Sequence, residues 1–166
     1  FLTRLFTSPM TATDFILGYT FPMIIMTIVQ ASITLLVAGI FGLDINVNII
    51  LAIIITALTS LLFIGTGLFF GSLLNEKAVG GVCGALLTNI AGWLSGVFIP
   101  IDLIGGAFKA ITNILPFYHS VEAIKLSLNG DFSNLLPHLS IVLGYTCIIF
   151  VFAIITFNHK MAGEKA

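Results

Sequence analysis

The side chains able to do chemistry are few and far apart. Asp44, Asn46 and Asn48 stand at alternate positions, as oxygen ligands do at the start of a calcium-binding loop. The pattern then fails, because Ile49 stands where such a loop needs glycine and Ile55 where it needs a bidentate glutamate. His119 and Glu122 are three apart, on one face of any helix formed there, but no third ligand joins them and no metal site is expected. None of the six Lys/Arg residues sits in a glycine-rich loop followed by Ser or Thr. A phosphate-binding loop is therefore not expected, and the chain is not expected to hydrolyse ATP by itself. No nucleophile can be paired with a base, so no catalytic residue is assigned. Cys83 and Cys147 lie inside apolar runs and read as small buried or lipid-facing residues. Two polar residues remain deep in apolar runs, Gln30 and Asn89. Each costs free energy in lipid unless it is paired. Each is expected either to bond between helices or to mark a polar point on a substrate path.

The elements that carry these groups are apolar helices. Of 166 residues, 58% are hydrophobic and only 8% are charged, against about 25% in ordinary soluble domains. So few charges cannot screen that much apolar surface from water. The charges are also unevenly placed, with none in residues 15–43, 45–75, 78–101 and 132–159. A helix needs about 20 residues to cross a bilayer. Four charge-free runs therefore predict about four transmembrane helices in an all-α integral membrane fold. A soluble enzyme and a disordered chain are excluded. The net charge of −1 gives no field to recruit nucleic acid, and no nucleic-acid partner is expected.

The spans are expected at about 15–41, 49–74, 79–99 and 135–157 of one transmembrane domain. Residues 1–13 form a short amphipathic segment with Leu2, Leu5 and Phe6 at helical spacing, and Ser8 or Thr13 is placed to cap the next helix. A polar tail is read from Asn158. Residues 101–131 differ from the spans, because they carry charges and two short amphipathic stretches broken at Pro116. Neither stretch can cross a bilayer, so they are expected to be re-entrant or interfacial helices. Arg4, Lys77, Lys160 and Lys165 would share one side, with Lys109 and Lys125 on the other. The positive-inside rule then puts both termini of this piece in the cytoplasm and residues 101–131 on the outer face. The chain opens on Phe1 rather than Met, so upstream sequence is expected.

Glycines recur four apart at Gly67 and Gly71, Gly80 and Gly84, and Gly92 and Gly96. Such spacing lets helix backbones approach closely in lipid, and packing of the second span on the third is the expected use.

Taken in order, these features resemble the ABC type-2 permease family, the membrane half of ATP-binding-cassette exporters. In the opening FLTRLFTSPMTATDFILGY, residues Leu2, Arg4, Leu5, Ser8, Pro9 and Gly18 match that family's cytoplasmic segment. Thr3 stands where an acidic residue is common, and Tyr19 where Lys or Arg is common. LSGVFIPIDLI at 94–104 is similar to the family's exit from its fifth span. LPFYHSVEAIKLSLNGD at 115–131 is similar to the region before its last span, with Lys125 in place of the commoner Arg. The resemblance covers essentially the whole chain and implies the last four of six spans.

It also implies a function. Residues 1–10 would form a coupling helix, with Arg4, Leu5, Phe6, Ser8 and Pro9 docking a separate ATPase subunit that carries ATP and Mg. No cofactor is expected on this chain itself. A second permease copy, as homodimer or heterodimer, would complete the path, with Gln30 and Asn89 along it. Pro100, Tyr118 and Glu122 would shape the outer gate. The expected place is the prokaryotic inner (plasma) membrane, in contact with lipid, and the expected role is multidrug or lipid efflux. An ion-gradient carrier or channel, or a non-transporting assembly protein, is the alternative.

Overall fold

A computed structural model describes residues 11–104 and 106–163. All regular structure among them is helical. In chain order the helices are α1 (Ala12–Ile40), α2 (Asn48–Leu73), α3 (Glu76–Val79), a π-helix (Gly80–Leu87), α4 (Thr88–Leu94), α5 (Ile101–Ile104), α6 (Gly106–Ile114), α7 (Pro116–Asn129) and α8 (Phe132–Gly163). Four stretches are long and apolar enough to cross a membrane: α1, α2, Lys77–Leu94 and Phe132–Ala162. The protein is an all-α membrane protein.

Helix α1 starts earlier than its charge pattern predicts, at Ala12, because Thr11 builds a capping box. The Thr11 hydroxyl accepts from the Asp14 amide at 3.2 Å, while the Asp14 carboxylate accepts from the Thr11 amide at 3.0 Å. Two amides left free by the first turn are thereby satisfied. Thr11, not Ser8 or Thr13, is thus the cap of α1 (Ser8 lies outside the described residues).

The third span is shorter than expected. Its helix ends at Leu94, not near Ile99, because Gly96 turns the chain at φ +77°. Its middle is the glycine-rich π-helix, and the Thr88 hydroxyl that follows it donates five residues back to the Cys83 carbonyl. The last helix is longer than expected and absorbs Asn158–Gly163. Phe157 and Met161 hold these turns, packing with Ala12, Ile16 and Ala153 in one core cluster.

The tightest packing is α2 against α8, with α1 and α7 on their flanks. One core cluster joins α1 to the end of α8, where the Phe15 and Phe157 rings stack at 4.2 Å. The other, at the opposite end, joins Ile55 of α2, Ala123 of α7 and Leu135 of α8. The glycine expectation is corrected at most positions. A Cβ added to Gly67, Gly71, Gly80 or Gly84 would meet nothing within 4 Å, so these glycines do not bring the second and third spans together. The close approach is made instead by Gly65, where a Cβ would lie 2.8 Å from the Phe150 ring. Gly92 sits beneath the Phe98 ring, within its own segment.

Candidate functional site

The residues assigned to ATPase coupling, Arg4, Leu5, Phe6, Ser8 and Pro9, lie outside the described residues. At the adjoining end of the bundle, α1, α2 and α8 leave a cleft of about 230 Å³. It is lined by Phe15, Tyr19, Gly71, Ser72, Phe157 and Lys160.

The opposite end is built by polar bonds. Pro116 opens α7, where its missing amide hydrogen costs nothing. Gly130, at φ +73°, closes α7 with the paired bonds of a Schellman turn, Asp131 amide to Leu126 carbonyl at 3.0 Å and Gly130 amide to Ser127 carbonyl at 3.3 Å. A Cβ on Gly130 would also press on the Asn48 amide at 3.0 Å. Asn48 occupies that place because its side chain donates to the Leu128 carbonyl at 3.2 Å, tying α2 to α7. Asn46 turns the preceding loop by accepting from the Asn48 amide at 3.0 Å. The amides of the rejected calcium pattern therefore build a loop. Asp131 caps α8, accepting from the Asn134 amide and side chain. These bonds, the side-chain one foremost, hold its carboxyl below the usual carboxylate range.

At this end α6, α7 and α8 converge on two histidines. His119 of α7 faces His138 of α8, with Nδ1 to Nδ1 at 2.7 Å, and its Nε2 reaches the Asn113 carbonyl at 2.9 Å. A carbonyl only accepts, so His119 carries a proton on Nε2. When both rings are neutral, His138 must then donate from Nδ1 to His119 Nδ1. The Tyr118 ring stands edge-on to both imidazoles, at 5.5 and 6.0 Å. Glu122, one turn further on, holds Lys125 at 2.7 Å. Tyr145 of α8 donates to the Ile114 carbonyl at 3.0 Å, a second tie to the α6–α7 hairpin.

Of the residues assigned to the outer gate, Tyr118 and Glu122 sit on this surface of α7. Pro100 lies on the exposed loop before α5, where its carbonyl accepts from Leu103. His138 is hidden from a reading of charges because it sits in a run free of Asp, Glu, Lys and Arg. Its sequence signal was a titratable side chain beside Pro137, near the start of an apolar span. Among the described residues no group of three or more His, Cys, Asp and Glu is arranged to hold a metal.

Two further clefts face the middle of the bundle. One, of about 320 Å³, is lined by Thr27, Gln30, Thr34, Thr56 and Ile124, among others. The other, of about 270 Å³, includes Thr56, Thr59, Ser60, Ser95, Ser120 and Ile124. Gln30 thus lines a cleft. Asn89 does not join it there, but is exposed and donates to its own helix at Ala85. Each of these hydroxyls donates to a backbone carbonyl three or four residues back. Their protons are therefore committed, and what they offer a ligand is oxygen lone pairs.

Neither the comparison with curated proteins nor that with solved structures gave a match. The family model for the ABC-2 type transporter matches residues 1–129, a stretch that takes in the first three spans, both middle clefts' span residues and the His119 face of α7. With four helices among the described residues long and apolar enough to cross a membrane, the conclusion is direct: the chain belongs to the ABC-2 type transporter family, as a multi-pass membrane permease domain.

Proposed function

We propose that this chain is the permease subunit of an ATP-driven ABC exporter, in which a partner ATPase carries ATP and Mg and this chain carries no cofactor. The observation that carries the proposal is the family match over residues 1–129. Residues 1–10 are the coupling helix, with Leu5 and Phe6 as apolar anchors and Arg4 as a charge partner. A second permease copy completes the path. The open face of the third span, at Gly80 and Gly84, supports room for one. The membrane is the prokaryotic inner membrane, with both termini of this piece inside. Lys160 at the α1–α8 end supports that side as cytoplasmic.

The cargo follows from the clefts. Apolar walls set with hydroxyl oxygens, together with the Gln30 amide, suit an amphiphile carrying N–H or O–H donors. Pro100, Tyr118 and Glu122 belong to its outer exit.

Phe6→Asp puts a charge on the apolar anchor. Pull-down of the ATPase from membranes is expected to fall about tenfold or more with span folding unchanged, the loss of a buried aromatic at an interface centre. Unchanged ATPase recovery with Phe6→Asp would overturn the coupling role.

A further inference from the structure

We infer that His119 and His138 form an acid-released latch between the α6–α7 hairpin and the last span. The inference rests on their geometry and is independent of the transport reading. The two Nδ1 atoms are 2.7 Å apart, and only one hydrogen fits between them. The neutral pair has that hydrogen, given by His138. The singly protonated pair has it too, now shared between an imidazolium and an imidazole. The doubly protonated pair has a proton on each Nδ1, so the bond is lost and two positive rings face each other. Free imidazole titrates between about pH 5 and 8, and a second proton placed beside an already positive ring is taken up only at the acid edge of that range.

The position gives the pair leverage. His119 is 7% exposed, sits on the helix after α6 and is fastened to α6 through Asn113, while His138 belongs to α8. Releasing the pair frees the hairpin's polar tie to the span but leaves the Tyr145–Ile114 bond. The titratable groups on the surrounding elements are Tyr118, Glu122 and Lys125 on α7, Lys109 on α6, Tyr145 on α8 and Asp131 at the α7–α8 junction. Glu122 is engaged by Lys125, and Asp131 by Asn134.

Hydrogen exchange of the full chain in nanodiscs tests this. After correction for intrinsic rates, residues 106–129 are expected to exchange about fivefold faster near pH 5 than near pH 7.5, the weight of one lost hydrogen bond. His138→Gln keeps a donor for His119 but does not titrate, so its ratio is expected to be close to one. Tyr145→Phe removes the neighbouring non-titrating tie. It is expected to raise exchange at both pH values and leave the ratio as in the wild type. A flat wild-type profile overturns the latch. So does a pH response that persists in His138→Gln, because Glu122 or another group would then carry it. If His138→Gln fails to fold, the wild-type and Tyr145→Phe profiles decide alone.

Discussion

Helix α2 and the third span, Lys77–Leu94, are both apolar helices able to cross a membrane, yet they are held in opposite ways. Helix α2 buries Ala52, Ile55, Thr59, Leu62, Gly65 and Ser72 against its neighbours. Among the described residues of the third span only Ala91 is buried. The cause lies in the side chains. Helix α2 buries Ile55 and Leu62 among small residues, one of which, Gly65, takes the Phe150 ring. The third span presents small residues over much of its π-helix, and these do not close on α2: a cleft lined by Phe63, Gly67, Cys83, Leu87 and Ala91 lies between. In lipid no hydrophobic force compels them to, since tails solvate the helix as well as a neighbour would. Within this chain, then, α2 is held by packing and the third span keeps an open surface.

The largest expected effect separates the two helices at a single leucine. Leu62→Ala empties a site that is 1% exposed and is expected to destabilise the protein by about 2–5 kcal/mol. Leu86→Ala, on the open face of the third span, is expected to cost less than about 0.5 kcal/mol. Denaturant unfolding of the two variants in detergent checks the pair. Equal losses would mean that the third span is packed in the way α2 is.

A smaller contrast uses the glycines. Gly65→Ala drives a methyl into the Phe150 ring and is expected to cost about 1–3 kcal/mol, read as a lowered melting temperature. Gly84→Ala meets nothing in this chain and is expected to be neutral here. Should Gly84→Ala weaken self-association while leaving monomer stability unchanged, the open face is where a second copy sits.

The smallest effect is electrostatic and lies at the polar end. The Asp131 carboxyl is held low in the folded state by Asn134. Its contribution is therefore present above the unfolded carboxyl range and is lost as pH falls through the lowered folded value. Asp131→Asn is expected to flatten a small part of the acid limb of stability below about pH 4. An unchanged limb would mean that the Asp131–Asn134 cap contributes nothing to stability.

How far the sequence could be read depends on the range of each interaction. The charge-free runs located the spans because bilayer thickness acts on any long apolar helix. Ends were less legible. The Thr11–Asp14 capping box is written in the letters, whereas the π-helix has no pattern that distinguishes it from an α-helix. Glycine spacing pointed to six positions, and the close approach fell on a seventh, Gly65. Spacing alone does not say which face meets a partner. Gln30 lay where a cleft formed, while Asn89 turned back on its own backbone.

The sequence by itself determined that this is a membrane protein, roughly where its helices cross, and which family it resembles. Those properties follow from composition and local order, which need no knowledge of neighbours. Only the tertiary structure decided that α2 packs on α8 rather than on the third span. Only it brought His119 and His138, nineteen residues apart, within 2.7 Å. Both outcomes depend on how long helices lean on one another, and a few ångströms of lean decide whether two side chains touch.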